Sequence, residues 1–203
     1  RQDTGWIWEG QRGDRDDHRF VKDVLNDALR KFPLLADDII VTGHSNGATF
    51  VWYLACDDID LRLRIFAPVA GALVRTQPRA CADAGHRFSL LHTHGDNDNV
   101  VPLEGTTWQS GWIGWMGAEA SLNVLADASR CSRADTLPKI GTVVTKRWYQ
   151  CLSGRAYRLD VFQGGHGIPP HWADTVIAWS KTLPRFCAAG RVRASHARHQ
   201  ARH

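Results

Sequence analysis

The stretch between residues 39 and 56 constrains the fold of this chain more than any other part of the sequence. A β-branched apolar run at 39–42 leads into Gly-His-Ser-Asn-Gly at 43–47, and a helix-like run follows as far as Cys56. In a strand, sharp turn and helix of this kind, the serine of Gly-x-Ser-x-Gly lies at the apex of the turn in strained backbone. Both flanking glycines are expected because a side chain there would collide with the neighbouring strand or helix. The pattern predicts a nucleophile elbow at Ser45, although an ordinary glycine-rich turn can have the same sequence.

Strand-like and helix-like segments alternate along the rest of the chain. Predicted strands cover residues 39–42, 63–71, 88–95 and 158–162, and predicted helices cover 16–32, 48–56 and 171–181. This alternation predicts the α/β class, with a mostly parallel sheet flanked by helices. In open sheets of this class reactive groups gather at the carboxyl ends of the strands. The residues that follow each strand are therefore the candidates for chemistry.

The positive charge of the chain is concentrated at its end. The net charge is +4, but residues 185–203 carry five arginines and no acidic residue, which leaves the remainder near neutral. We therefore expect one α/β domain over residues 1–184 and a basic, disordered tail over 185–203. The near-neutral body argues against nucleic acid as a partner. No apolar run approaches the ~20 residues of a membrane span, so we expect no membrane partner either.

Three residues with the chemistry of a catalytic triad follow three predicted strands. They occur in the order Ser45, Asp98 and His166, and nucleophile, acid and histidine in this order are typical of α/β-hydrolases. A serine hydroxyl becomes a good nucleophile when a neutral imidazole takes its proton, and a carboxylate must orient that imidazole. We prefer Asp98 to Asp96 as the acid, although their spacing separates them only weakly.

The segment at 92–96, His-Thr-His-Gly-Asp, permits a rival interpretation. Alternating His-x-His-x-Asp is a metal-ligand pattern, familiar from metallo-β-lactamase-like hydrolases. That motif has a histidine where this chain has Asn97. Both histidines also fall in or at the end of an apolar strand, where a hydrogen-bonded core histidine is the simpler interpretation. We therefore predict no metal and no other cofactor, and keep a metal-dependent hydrolase using His92, His94 and Asp96 as the alternative.

Three tryptophans, Trp108, Trp112 and Trp115, occur in a glycine-rich stretch. Their i, i+4, i+7 spacing favours a short amphipathic helix that buries an aromatic stripe. The other interpretation is a lip over the site that stacks on an aromatic or polymeric substrate. Together with His44, which precedes the serine, Trp108 and Trp112 are the candidate substrate-binding residues. A non-catalytic α/β domain that binds through this stretch is a further alternative.

The five cysteines show none of the Cys-x-x-Cys spacing of zinc or redox sites. Cys131 and Cys151 flank a short loop-and-strand stretch and form one candidate pair, while Cys56 and Cys81 form a second, weaker one. Disulfides would indicate an oxidising compartment, whereas free thiols would fit the cytosol. The polar beginning of the chain does not show a signal peptide. The cysteines alone leave the compartment open.

Four motifs occur in order along the chain. They are Val-Thr-Gly-His-Ser-Asn-Gly-Ala at 41–48, Ala-Pro-Val-Ala-Gly at 67–71, His-Gly-x-x-Asp-x-Val-Val-Pro at 94–102 and Gly-Gly-His at 164–166. In this combination they resemble the polyhydroxybutyrate depolymerase and feruloyl esterase family, over about residues 6–181. The resemblance implies a secreted, cofactor-free serine esterase with an α/β-hydrolase fold. Its implied substrates are polyhydroxyalkanoate-type polyesters, or feruloyl or acetyl esters of plant polysaccharide.

The resemblance also implies roles for particular residues. Ser45 matches the family nucleophile, Asp98 matches the acid before Val-Val-Pro, and His166 matches the base. Cys131 and Cys151 match a late cysteine pair of the family, on either side of a strand that precedes the catalytic histidine.

Two regions differ from the family pattern. Residues 167–170 are Gly-Ile-Pro-Pro where the family usually has Thr-Trp-Pro-Gly, which predicts a different substrate pocket. The family also places several strands and a His-Gly oxyanion loop before the region that Trp6-Ile7-Trp8 matches. We therefore expect the chain to be N-terminally truncated relative to the family and to lack those strands. One oxyanion donor would remain, the backbone N–H of Asn46.

Overall fold

The computed structural model describes residues 5–8, 11–12, 15–33, 39–75, 81, 88–107 and 114–184. The predicted tail at 185–203 lies outside these described residues, as do Trp108 and Trp112. Within the described ranges, no helix is both long enough and apolar enough to cross a lipid bilayer.

A six-stranded sheet forms the centre of the described structure. A short ribbon of β1 (Gln11–Arg12) and β2 (Arg15–Asp16) precedes it, and its strands are β3 (Ile40–His44), β4 (Ile65–Val69), β5 (Ser89–Gly95), β6 (Arg133–Thr136), β7 (Val143–Tyr149) and β8 (Tyr157–Phe162). The spatial order is β3-β4-β5-β8-β7-β6. The first four strands are parallel, whereas β7 and β6 are antiparallel to their neighbours. The predicted mostly parallel α/β sheet is therefore confirmed.

The helices that pack around the sheet are α1 (Asp17–Lys31), α2 (Asn46–Cys56), α3 (Ala118–Ala128) and α4 (Trp172–Ser180). α1 begins where its acidic start predicts, because the Asp16 side chain accepts a hydrogen bond of 2.9 Å from the N–H of Arg19. It ends at Lys31, where extended backbone at Phe32 leads into Pro33. A proline disfavours helical backbone in the residue before it.

The sequence patterns do not predict α3, and between Cys131 and Cys151 they predict only a loop-and-strand stretch without bounds, where the structure has β6 and β7. The buried face of α3 consists largely of small residues, so its apolar periodicity is weak: Ala118, Ser121, Leu122, Leu125 and Ala126. β7 carries Lys146 and Arg147 near its centre, and β6 is an edge strand whose side chains are mostly exposed. A short polar strand such as β6 takes its conformation from its neighbours rather than from its own pattern, and the two cations interrupt the apolar run of β7.

The helix predicted through the tryptophan stretch does not extend through Trp115. Trp115 forms an antiparallel bridge with Val74, and Met116 forms one with Gly105. The Trp115 N–H also donates to the Thr106 hydroxyl oxygen at 3.0 Å. Contacts with the segments that follow β4 and β5 thus override the local helical spacing at this end of the stretch.

The core consists of a large cluster on one face of the sheet and a smaller cluster on the other. The large cluster packs α1, α2 and α3 against the sheet, and every residue of α2 from Ala48 to Cys56 is buried. The smaller cluster packs α4 against β4 and β5 through Ile65, Leu91, Val176 and Trp179. A helix that is buried on all sides holds the turn before it in place, and that turn carries Ser45.

Two disulfides connect the ends of helices to the following segments. Cys56, at the end of α2, is bonded to Cys81, and Cys131, shortly after α3, is bonded to Cys151, shortly after β7. Both candidate pairings are therefore present. Because disulfides persist in oxidising compartments, they indicate an extracellular protein rather than one with free thiols.

Replacing both Cys131 and Cys151 with alanine should lower the free energy of unfolding. The bond joins residues 20 positions apart, and the entropy lost by the unfolded chain in closing a loop of that size corresponds to about 3 kcal/mol. The measurement is the midpoint of denaturant-induced unfolding of variant and parent under non-reducing conditions. Equal midpoints would show that this bond contributes nothing to the native protein.

Candidate active site

Ser45 lies at the tip of the turn between β3 and α2. Its backbone has φ 58° and ψ −122°, a conformation that costs free energy for a residue with a side chain. Hydrogen bonds hold the turn: the Ser45 N–H donates to the Val69 carbonyl at 3.0 Å, and the Ala48 N–H donates to the Ser45 carbonyl at 2.9 Å. Gly43 is required because a Cβ there would lie 2.4 Å from the Gly47 carbonyl oxygen. The strand, sharp turn and helix predicted from the sequence are all present.

The side chains of Ser45, His166 and Asp98 form one hydrogen-bonded chain. His166 Nε2 lies 2.8 Å from Ser45 Oγ, and His166 Nδ1 lies 2.8 Å from Asp98 Oδ2. The three residues follow β3, β8 and β5, which are parallel in the sheet, so their side chains meet at one edge. A carboxylate at Nδ1 fixes the proton of a neutral imidazole there, which leaves Nε2 able to accept a proton from a hydroxyl.

Asp98 is buried behind the histidine and is held in its ionised form. Burial alone would raise the pKa of its carboxyl, but hydrogen bonds from His166 and from the N–H groups of Val101 and Val100 outweigh that effect and lower the pKa below its ordinary value. Both backbone groups donate to Oδ1 at 2.9 Å, which leaves Oδ2 for His166. A charged carboxylate in this place can stabilise an imidazolium.

The loop that carries the histidine crosses directly over the end of β5. The Asp96 carboxylate accepts a hydrogen bond of 3.0 Å from the Gly164 N–H and so anchors this loop. The crossing is possible because residue 95 is glycine: a Cβ at Gly95 would lie 2.3 Å from the Gly165 carbonyl oxygen and 2.4 Å from that of Gly164. The two aspartates therefore do different things, since Asp98 contacts the imidazole and Asp96 contacts the backbone of its loop.

The residues of the metal-ligand alternative do not converge on a common point. His92 Nε2 is hydrogen-bonded to His94 Nδ1 at 2.9 Å, and His94 Nε2 is hydrogen-bonded to the Val101 carbonyl at 2.7 Å. Asp96 is engaged by the backbone of the histidine loop. In the part of the chain that the structure describes, no group of three His, Cys, Asp or Glu side chains could hold a metal ion. The two histidines are hydrogen-bonded core residues.

His44 packs against the ring of His166. The ring centroids are 4.8 Å apart and the rings are tilted by 46°. Burial lowers the pKa of His44 and the charge of His166 lowers it further, against a smaller opposing effect of Asp98. A neutral imidazole therefore borders the candidate base on one side. The structure says nothing about the other two candidate substrate-binding residues, which are not described.

Asn46, which follows Ser45, is tied to the beginning of the described chain. The Trp6 N–H donates to Asn46 Oδ1 at 2.9 Å, and the Trp6 ring stacks on Phe50 with centroids 4.8 Å apart. Sequence patterns do not predict this contact, because it joins residues 40 positions apart. A Cβ at Gly47 would meet Trp6 Nε1 at 3.6 Å, an ordinary contact, so the collision predicted at Gly47 is wrong. Among the described residues, no backbone carbonyl accepts from the Asn46 N–H at the start of α2.

Comparisons with solved structures identify the fold. The chain is similar to esterase PE8 (22% identity, TM-score 0.51, covering 82% of this chain and 60% of that one). It is also similar to Arabidopsis thaliana SOBER1 (14% identity, TM-score 0.51, covering 81% of this chain and 61% of that one). A third similar structure is the acetyl xylan esterase from Aspergillus awamori (14% identity, TM-score 0.52, covering 82% of this chain and 67% of that one). These likenesses show an α/β-hydrolase-type fold. No protein-family model matches the sequence, and a search of curated proteins finds no match.

Replacing Gly95 with alanine should disrupt the site, because the new Cβ would collide with two carbonyl oxygens of the histidine loop. We expect a loss of about 1–3 kcal/mol of stability from overpacking. We also expect about 10²-fold slower ester hydrolysis, because displacement by about 1 Å is that costly at a catalytic group. Gly167→Ala is the matched control for stability, since its Cβ would meet nothing within 4 Å. Equal melting temperatures in the two variants, or a Gly95→Ala rate equal to that of the parent, would contradict this account.

The free energy of unfolding should fall as the pH drops below about 6.5, in part because of His92. Burial lowers the pKa of folded His92 well below 6.5, with a smaller contribution from repulsion by the neighbouring His94 ring and a smaller opposing effect of the Pro68 backbone. Above about pH 6.5 neither state is protonated at this residue, and stability is unaffected. Below it only the unfolded chain binds the proton, which costs about 1.4 kcal/mol per pH unit until the folded pKa is reached.

Denaturant unfolding of the parent and of His92→Gln across this pH range measures that contribution. The variant lacks the titrating group, so its stability should fall less steeply with acidification than that of the parent. Parallel pH profiles for the two proteins would refute the assignment of this slope to His92.

Proposed function

We propose that the protein is a serine esterase that hydrolyses carboxylic esters through an acyl-enzyme on Ser45. The observation that carries the proposal is the hydrogen-bonded chain from Ser45 through His166 to Asp98, on a strained turn between a strand and a helix. The α/β-hydrolase-type fold and the similarity to structures that are named esterases support it.

In the acylation step, His166 Nε2 takes the proton of Ser45 Oγ as that oxygen attacks the ester carbonyl carbon. The carbonyl oxygen becomes an oxyanion, which the Asn46 N–H at the start of α2 stabilises. The carbon–oxygen bond to the alcohol then breaks, and the leaving oxygen receives the proton from His166. Asp98 remains ionised and stabilises the imidazolium.

In the deacylation step, water takes the place of the alcohol. His166 Nε2 removes a proton from the water as its oxygen attacks the acyl carbon. The bond between the acyl carbon and Ser45 Oγ breaks, and the serine oxygen recovers its proton from His166. The products are the free carboxylic acid and the original enzyme.

For the substrate we propose a polyhydroxyalkanoate-type polyester, or feruloyl or acetyl esters of plant polysaccharide. The resemblance of the motifs at 41–48, 67–71, 94–102 and 164–166 to the polyhydroxybutyrate depolymerase and feruloyl esterase family supports this class. The acetyl xylan esterase among the similar folds supports the carbohydrate-linked esters. Two disulfides support secretion, which polymeric substrates outside the cell require.

Hydrolysis of p-nitrophenyl butyrate, a feruloyl ester, acetylated xylan and a 3-hydroxybutyrate oligomer tests the proposal. Ser45→Ala should reduce every rate to background, and Asp98→Asn should lower kcat by about 10⁴-fold because the histidine then adopts the wrong tautomer. A chelator should leave the parent rate unchanged. Asp174→Asn is the matched control, because this carboxylate lies exposed on α4 and should not affect the rate.

Other results would redirect the assignment. Turnover that survives in Ser45→Ala would overturn the proposed nucleophile, and turnover that a chelator abolishes would favour the metal-dependent alternative. Binding of a substrate without turnover, equal in the parent and in Ser45→Ala, would indicate a non-catalytic domain.

A further inference from the structure

Two fully buried histidines lie directly behind the candidate acid. His92 and His94 are both 0% exposed, although they occupy a strand that is otherwise apolar or small. Buried imidazoles cost free energy unless their nitrogens find partners, whereas apolar residues would fill the same space without that cost. The proposed triad does not use either side chain. Their presence therefore requires a further reason.

The hydrogen bonds of the pair have a defined direction. The Val101 carbonyl can only accept, so His94 Nε2 carries a proton and donates to it at 2.7 Å. His94 is neutral at neutral pH because burial lowers its pKa, so its Nδ1 is unprotonated and accepts. With that tautomer of His94, His92 Nε2, which lies 2.9 Å from the Nδ1, is the donor. The buried His92 Nδ1 is then unprotonated and has no hydrogen-bond partner among the described residues, so the Val101 carbonyl fixes the direction at His94 alone.

Val101 is also part of the turn that holds the acid. Its N–H donates to Asp98 Oδ1 at 2.9 Å, while its carbonyl accepts from His94. His94 Nε2 itself lies 3.4 Å from Asp98 Oδ2, the oxygen that contacts His166. Val101 is therefore hydrogen-bonded through its carbonyl to the His94 side chain on β5 and through its N–H to the Asp98 carboxylate.

We propose that His94, held in place by His92, is a positioning residue that fixes the turn at 98–101 so that Asp98 Oδ2 meets His166 Nδ1. This inference rests on the proposed function, because it assigns a purpose to that contact. The hydrogen bond that His94 Nε2 donates to the Val101 carbonyl is the essential interaction, and His92 orients the ring that makes it.

Two substitutions at one position separate the two hydrogen bonds. In His94→Gln the longer amide places its nitrogen near the former Nε2 and keeps the donor to Val101. In His94→Asn the shorter amide ends near the former Nδ1, so it keeps an acceptor for His92 but cannot reach Val101. Each variant retains one of the two bonds, and the two amides have the same chemistry.

The test measures kcat and KM for an ester, together with melting temperature, in the parent and both variants of the full 203-residue chain. We expect His94→Asn to lower kcat by up to about 10²-fold with KM unchanged, because a misplaced acid matters in the transition state rather than in substrate binding. We expect His94→Gln to restore kcat to near the parent value. Equal kcat values in the two variants would overturn the proposal.

A second readout does not depend on turnover. The low-field proton resonance of His166 Nδ1–H reports its hydrogen bond to Asp98 directly. It should persist in the parent and in His94→Gln and be shifted or lost in folded His94→Asn. If the parent hydrolyses no ester, the proposed function fails while this resonance still tests the positioning role. An unchanged resonance in His94→Asn would overturn that role whatever the activity.

Discussion

Close backbone approaches that only glycine permits hold this site together. A Cβ at Gly43 would collide with the Gly47 carbonyl, one at Gly71 would lie 2.7 Å from the backbone carbonyl oxygen of Ser45, and one at Gly95 would collide with the histidine loop. Each approach joins the carboxyl end of one parallel strand to the segment that carries or supports a polar side chain. Parallel alignment brings the strand ends to one edge of the sheet. The close backbone approaches then bring the polar side chains that follow these strands within hydrogen-bond distance of one another.

Much of this arrangement could be predicted from the sequence. The strands that carry the site are buried, and buried parallel strands appear as nearly continuous apolar runs. The order of serine, aspartate and histidine after three such runs also pointed to the residues that the structure brings together. By contrast, α3 could not be predicted, and neither could the bounds and the antiparallel pairing of β6 and β7, because these depend on packing against neighbours. The link between Trp6 and Asn46 joins residues 40 positions apart, and no local pattern encodes it.

The segment at 92–96 shows how one pattern fits two chemistries. Alternate residues of a strand share a face, so His92 and His94 point to the same side whether they bind a metal or each other. Asp96 lies just beyond the end of β5, where it contacts the histidine loop instead. The contact that distinguishes the two chemistries is the hydrogen bond from His94 to the Val101 carbonyl, which a turn places next to the strand. The spacing of residues in the sequence does not predict this contact.

The proposed chemistry depends on an activated nucleophile at Ser45. The most direct measurement is intact mass and peptide mapping after treatment of the folded chain with a fluorophosphonate, with and without a chelator. A single adduct on the peptide that contains Ser45, formed equally in both conditions, is the predicted result. A folded chain that forms no adduct there would contradict the account, because a serine in hydrogen-bond contact with a carboxylate-oriented imidazole should react.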